Sequence, residues 1–206
     1  MSTSIEKEFV NDTYDHIADE FSKTRYSVWK FVGDFLNNKK NLFGLDIGCG
    51  NGKNMIHDNM IGLDNNRAFV HMCNLSGKNV VLANCIDIPF HSNTFDYVIC
   101  ISVIHHLSTD ERRKDCIWDM LRVLKKGGQG LMNVWSCENQ SKHIFVDGSN
   151  YVPWKSRTNP EQSKMRYYNI MNHDSFMKLI NSFSGYMDIM DVKNEKGNWI
   201  VQFVKK

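Results

Sequence analysis

Residues 45–54 read LDIGCGNGKN, with Gly48, Gly50 and Gly52 alternating behind Asp46. Glycine costs backbone entropy and gives no side chain to pack, so such a run marks a backbone that something must approach closely. A branched side chain at Gly48 would then stand in ligand space. The dinucleotide pattern G-x-G-x-x-G requires a glycine at position 53, where Lys53 stands, so a nicotinamide site does not fit. A second stretch, residues 151–168, interleaves Tyr151, Trp154, Tyr167 and Tyr168 with Lys155, Arg157, Lys164 and Arg166, against the single acid Glu161. Aromatic faces stack on unpaired bases at ~1–3 kcal/mol each while cations meet phosphates, which suits RNA. A basic surface loop with its aromatics tucked into the core has the same composition. The eight histidines form no H-E-x-x-H and the six cysteines no C-x-x-C, so no metal site is expected.

These residues need a scaffold. A chain of 206 residues, 42% hydrophobic, can bury one substantial core. No apolar stretch reaches the ~18 residues of a membrane span, and the N-terminus lacks the layout of a signal peptide. Scattered cysteines in apolar runs imply reduced thiols and a cytoplasmic setting. A net charge of +2 neither announces nor excludes a nucleic-acid partner. Helical spacing of apolar residues predicts helices over 5–21 and 27–38. Strands are expected at 42–47, 60–63, 80–83, 97–102, 130–135, 186–192 and 199–204. Helices are expected at 67–75, from Thr109 or Asp110 through Leu124 with a stop at Gly127 and Gly128, and at 174–183. Residues 136–165 read as polar and irregular, too long for an ordinary loop. Alternating strands and helices predict a mostly parallel sheet covered on both faces, with ligands at the carboxyl ends of its strands.

The spacing D-x-G-x-G-x-G, Asp46 to Gly52, resembles motif I of the class I S-adenosylmethionine-dependent methyltransferases. That resemblance implies a Rossmann-like seven-stranded mixed sheet, helices on both faces and an N-terminal helical cap. It implies S-adenosyl-L-methionine as cofactor, over Asp46, Gly48, Cys49 and Gly50. Asp64, in IGLDNN, would accept from both ribose hydroxyls with Asn65 beside it. An ionised carboxylate is an acceptor-only group suited to a diol. The stretch ANCIDIPFHSNTFDYVI resembles the superfamily's D-x-x-x-L-P-F…F-D segment, where the acid meets the adenine amino group. Here Asn84 occupies the acid's position, with Cys85 and Ile101 completing the cofactor set.

One family is more closely resembled: the tRNA wobble-uridine methyltransferases that esterify 5-carboxymethyluridine, whose vertebrate version is a domain of AlkB homologue 8. The likeness lies in TYDHIADEFSKTRYSVWKFVGDFL (13–36), VIHHLSTDERR (103–113), RVLKKGGQGLMNVWSCEN (122–139), YVPW (151–154) and RYYNIM (166–171). It implies a tRNA anticodon loop as substrate and a small zinc-binding activator subunit as partner, with no membrane and no DNA. Val80, Val81 and Leu82 form an apolar strand at a sheet edge that such a subunit would cover. The acceptor carboxylate needs no general base, only alignment and a partly desolvated pocket. Arg25, His105 and His106 are expected to position it, with Tyr26, Trp135, Trp154, Arg166 and Tyr167 holding the base. Arg112 and Arg113 stand in a helical first turn, as solvated charges or in ion pairs with Asp110 or Glu111. One domain is expected over 1–206: a cap at 1–40, a cofactor-binding half at 41–135, and a substrate loop with C-terminal strands at 136–206. Two alternatives stay open: O- or C-methylation of a small molecule or lipid, and a non-catalytic cofactor-fold subunit.

Overall fold

Strands buried on both faces must be almost continuously apolar, and four-residue β1 (Gly44–Ile47) is buried throughout despite Asp46 at its third position. In this computed structural model, which describes residues 2–139, 144–156 and 163–206, β1 lies in the middle of the sheet. β2 (Met60–Asp64) and β4 (Phe95–Ile101) flank it in parallel. β3 (Val80–Leu82) continues on one side and β5 (Leu124–Trp135) on the other. The last strands in the chain, β8 (Met187–Asn194) and β9 (Asn198–Lys205), are antiparallel. The resulting seven-stranded mixed sheet has the order β3-β2-β1-β4-β5-β9-β8. Its order reverses between β1 and β4, and a crevice opens at the carboxyl ends there.

Period-two alternation divides the apolar side chains between two layers. Tyr97, Ile99 and Ile101 of β4 pack with Phe31, Val32, Phe35 and Leu36 of α3 (Lys30–Leu36) and with Cys73 of α4 (Arg67–Leu75). Val98 and Cys100 face the other way, onto α5 (Asp110–Val123) and α6 (His173–Asn181). Thr109 caps α5 by accepting from Arg112 N–H. The helix ends at Val123, earlier than the glycine pair suggests. Leu124 adopts an extended conformation and enters the sheet opposite Phe95, so Gly127 and Gly128 lie within β5 beside a register shift. Sheet pairing of a fully buried leucine outweighs the local stop signal.

The expected helix over 5–21 is broken into α1 (Ser4–Glu6), a π turn (Lys7–Asn11) and α2 (Asp12–Lys23). This segment lies over the crevice. Its buried Glu6 receives Arg112 Nε on both oxygens, at 2.8 and 2.9 Å, together with Ser108 N–H at 2.8 Å. The largest departure lies within 136–165. Residues there form a hairpin strand β6 (Gly148–Trp154), paired antiparallel with β7 (Lys164–Ile170). Arg157 and Glu161 lie outside the described residues. The hairpin packs against the N-terminal segment, with Thr13 Oγ1 of α2 donating to the Met165 carbonyl at 3.1 Å.

Close approach of sheet and side chain fixes one further glycine. A Cβ at Gly130 would lie 2.0 Å from the buried Phe203 ring. Gly130→Ala should therefore lower unfolding free energy by about 1–3 kcal/mol through overpacking. Urea denaturation checks this; an unchanged midpoint would mean that β9 shifts freely.

Candidate active site

The crevice between the sheet and the N-terminal segment is a cavity of about 260 Å³. Gly48, Cys49, Gly50, Asp64, Asn65, Asn84, Cys85, Ile101, Arg25 and His106 all border it. Asp46, His105, Tyr26, Trp135, Trp154, Arg166 and Tyr167 do not line it. Asp46 is fully buried beneath the glycine loop, and neither carboxylate oxygen has a protein partner among the described residues. Burial, then the nearby Asp64, pushes its pKa well above the usual carboxylate range. Tyr26 is 88% exposed and stands away from the cavity, because the chain leaves α2 at Thr24 and turns outward.

The three glycines answer three different demands. Each has positive φ: 68° at Gly48, 55° at Gly50 and 74° at Gly52. A Cβ at Gly48 would lie 2.2 Å from Val103 Cγ2, so that glycine is required by packing rather than by ligand space. At Gly52 the obstacles are Lys78 Cδ and Cys73 Sγ. Only at Gly50 would the added carbon meet nothing within 4 Å, and this residue borders the cavity. The loop is held by Gly48 N–H and Cys49 N–H donating to the Leu63 carbonyl at 2.7 and 3.0 Å.

Asp64 is buried at the end of β2. Its Oδ2 accepts from Gly50 N–H at 2.8 Å and its Oδ1 from Asn66 N–H at 2.9 Å. Burial raises its pKa to about 6, against the lowering effect of these backbone donors. A carboxylate has about four lone-pair sites, so capacity for two hydroxyl donors remains. Asn84 spends its amide oxygen on Ile86 N–H at 3.2 Å, closing the turn after β3. Asn65 reaches the cap, donating to Asn11 Oδ1 at 3.1 Å.

The other end of the crevice is an aromatic cluster from four distant segments. His106 Nδ1 donates to the Tyr167 carbonyl at 2.8 Å, and its Nε2 faces Tyr14 Oη at 3.2 Å. With the proton on Nδ1, Nε2 accepts from the phenol. Trp135 N–H donates to His105 Nδ1 at 3.1 Å, so the His105 proton sits on Nε2. Both rings are neutral. Burial drives the His106 pKa down to about 4, and burial, with His106 and the Arg166 guanidinium close by, drives His105 well below its usual range. Tyr168 stacks on Trp135 with centroids 4.4 Å apart and sits 4.5 Å from His106.

Strand alternation decides which residues of RYY face this cluster. Arg166 and Tyr168 share a face of β7, and Arg166 Nη1 donates to Tyr168 Oη at 2.9 Å. The Arg166 guanidinium lies 5.2 Å from the Trp154 ring centroid and 5.3 Å from that of Tyr168. It is only 6% exposed, and its Nε has no partner among the described residues. The Tyr167 side chain points the other way, to Ser149 and Ser108, so its backbone carbonyl is the atom that reaches the cluster. Tyr14 is missing from the sequence expectation, and Tyr168 enters it only as one aromatic of the 151–168 stretch. The period-two pattern could have found Tyr168; nothing local marks Tyr14. The arginine pair of α5 is structural. Arg112 pairs with Glu6, while Arg113 pairs with Asp110 and donates to the Leu107 carbonyl.

Comparison with known proteins now has a geometry to meet. Residues 45–132 match the Methyltransferase domain family. The tRNA (carboxymethyluridine(34)-5-O)-methyltransferase of Schizosaccharomyces pombe is 34% identical over 98% of this chain and 98% of its own length. The chain belongs to this family. The Saccharomyces cerevisiae protein of the same name is 35% identical over 76% of this chain and 61% of its own length. The Xenopus tropicalis protein of that name, alkbh8, is 37% identical, but the match spans only 23% of its length. Among solved structures, the CcbJ methyltransferase of Streptomyces caelestis has a TM-score of 0.72 at 10% identity, covering 95% of this chain and 98% of its own. A methyltransferase in complex with the Haloferax volcanii Trm112 activator has a TM-score of 0.68 at 14% identity, covering 95% and 96%. These two show the shared class I methyltransferase fold.

The residues of this family member fit S-adenosylmethionine. The open space beside Gly50 accommodates a ligand against bare backbone, and Asp64 suits a ribose diol. The Asp64 pKa sets a pH signature. Ribose hydroxyls need the ionised form as acceptor, so S-adenosylhomocysteine affinity should be level above about pH 7. It should fall towards tenfold per unit once the carboxyl protonates below about 6. Asp64→Asn should weaken binding by about 1.5–3 kcal/mol and flatten the profile. Calorimetry across this range decides; an unchanged slope in the variant would remove Asp64 from the site.

Proposed function

We propose that the protein transfers a methyl group from S-adenosyl-L-methionine to the carboxylate of 5-carboxymethyluridine at the wobble position of tRNA, forming the methyl ester. The observation that carries this is the neutral histidine pair beside a buried arginine in an aromatic wall. An acceptor carboxylate is ionised at neutral pH and has no proton to lose, so its site should hold it rather than deprotonate it. His106 has both ring nitrogens engaged, and a pKa of about 4 makes it a poor base. Arg166, 5.2 and 5.3 Å from the ring centroids of Trp154 and Tyr168, offers a planar guanidinium to an anion. Trp135 and Trp154, both half-buried, are the aromatic rings that would meet an extruded base.

When bound, S-adenosylmethionine supplies an electrophilic methyl on a cationic sulfur. Asp64 and the Gly50 backbone orient it, Asn84 and Cys85 border its adenine end, and the helical cap excludes water. His105 and His106 fix the floor of the acceptor pocket through their neutral tautomers. The name of the Schizosaccharomyces pombe relative, which covers nearly the whole chain, supports this acceptor. The chain forms a single methyltransferase domain in this reading. A small zinc-binding activator subunit fits the sheet edge at β3. Leu82 is exposed there and Leu75 of α4 is 76% exposed. Apolar edges of this kind need covering. No helix among the described residues is long and apolar enough to cross a membrane.

Mass spectrometry of nucleosides from tRNA carrying 5-carboxymethyluridine should show the methyl ester only with enzyme and cofactor. At saturating cofactor, the single-turnover rate should stay level from about pH 5.5 upward, since neither histidine titrates there. A rate climbing tenfold per unit to pH 7 would instead indicate a hydroxyl or carbon acid acceptor. Arg166→Met should reduce turnover on this tRNA while sparing S-adenosylhomocysteine affinity.

The partner reading has its own check. Leu82→Glu should abolish co-purification with a co-expressed zinc-binding activator and leave the isolated chain folded. A monodisperse chain, fully active alone, would count against any partner.

A further inference from the structure

A second cavity, of about 520 Å³, opens at the amino ends of the parallel strands, the opposite end of the sheet from the crevice. Lys39 borders it and is only 8% exposed. A lysine buried to this degree ordinarily has an acid beside it. Here its Nζ donates to Gln129 Oε1 at 2.7 Å and lies 4.2 Å from the centroid of the Phe35 ring, both neutral groups. Burial lowers the Lys39 pKa, and no acid offsets that shift. An ammonium has three donors, so the amide of Gln129 leaves capacity for an anion.

The other cations of this cavity are placed by a bulge. Ladder pairs join Phe95 to Leu124 and Tyr97 to Gln129, so residues 125–128 stand opposite Asp96 alone. An insertion of this kind bends the strand and re-aims its side chains. Lys125 Nζ donates to Asp96 Oδ1 at 2.7 Å, and Asp96 Oδ2 accepts from Phe43 N–H at 2.8 Å. The acid in the cavity wall is thus engaged on both oxygens, and Lys125 holds its pKa below the usual range. Lys126 borders the same cavity, exposed and without an acid partner among the described residues. Gly127 has a φ of 75°, and a Cβ there would meet nothing within 4 Å, so its backbone is open to a ligand. Three cations therefore face one carboxylate, and that carboxylate is already neutralised.

We propose that this cavity binds a phosphate group, with Lys39 as its buried cation and Lys126 as its exposed one. Ammonium groups are compact point charges that meet a tetrahedral oxyanion from several directions, whereas a planar carboxylate favours the guanidinium fork. Gln129 accepts from Lys39 through Oε1 and keeps its amide N–H groups as donors, and Asn38 adds a second side-chain amide. The seven residues of β4 separate this site from the crevice by roughly 20 Å, at ~3.3 Å per residue. It is therefore distinct from the cofactor and acceptor pockets and independent of which acceptor is methylated. The phosphate comes either free from solution or on a nucleic-acid strand, and both present the same oxyanion.

The test is an amide NMR titration with inorganic phosphate at constant ionic strength, on the chain saturated with S-adenosylhomocysteine so that the crevice is occupied. The amides of Gly127, Gly128 and Gln129 should shift together and saturate. Lys39→Met should weaken this binding about tenfold, as expected for loss of a charge-assisted contact to a buried cation. Wild-type amides that do not shift, or an affinity unchanged in Lys39→Met, overturn the proposal. Where that variant loses its folded spectrum, Lys126→Glu decides at an exposed position. The reversed charge should weaken phosphate at least tenfold, and an unchanged affinity overturns the proposal equally. Competition with tRNA then separates the two sources. Phosphate released by tRNA, read from its phosphorus linewidth, supports a site for an RNA strand, and phosphate retained supports a site for the free anion.

Discussion

The hydrogen bond from Gly50 N–H to Asp64 Oδ2, 2.8 Å long, joins the loop after β1 to the end of β2. Everything at the cofactor end depends on it. The loop must be bare backbone to be approached, and bare backbone has few ways to be held. A buried carboxylate solves this by accepting from the loop while keeping lone pairs for a ligand. The cost is desolvation of a charge, visible in the raised pKa of Asp64, and the backbone donors of Asn66, Gly50 and Asn65 reduce it. Two further bonds from Gly48 and Cys49 to the Leu63 carbonyl fasten the same loop to the same strand. The loop is thus an extension of the sheet rather than a mobile connection.

Above this floor, the roof is assembled from segments far apart in the chain. Glu6 meets Arg112 and Ser108, Thr13 meets Met165, and Tyr14 meets His106. A buried ion pair adds little net stability, because desolvation offsets attraction, but breaking it leaves a charge stranded. Its effect here is positional. It fixes the first turn of the chain against α5, and so fixes Tyr14 over the histidines. The hairpin of β6 and β7 packs beside it and brings Arg166 and Tyr168 against the histidines.

The electrostatics of the two ends differ in kind. At the cofactor end, the Asp64 carboxylate and the cations Arg25 and Lys53 border the same cavity, an arrangement suited to a ligand carrying both charges. At the acceptor end there are neutral imidazoles, aromatic rings and the guanidinium of Arg166. Ring nitrogens locked by Tyr14, by the Trp135 amide and by the Tyr167 carbonyl are positioned without being charged. Such a pocket favours holding an anion over removing a proton.

Much of this is legible in residue order alone. The glycine spacing, Asp64 at a strand end and the alternation of apolar strands with amphipathic helices are local patterns. They therefore determine the sheet, the crevice and the cofactor end. The α5 boundary is not local, because Leu124 leaves the helix to pair with Phe95, twenty-nine positions away. The β6–β7 hairpin is hidden in polar sequence, since its strands are stabilised by packing against the cap and the histidines rather than by their own composition. Tertiary structure alone decided that Gly48 answers to Val103, that Tyr168 rather than the Tyr167 side chain meets the histidines, and that Tyr26 points outward. Each of these depends on which face of an element meets a partner distant in the chain, and spacing along the sequence carries no information about that partner.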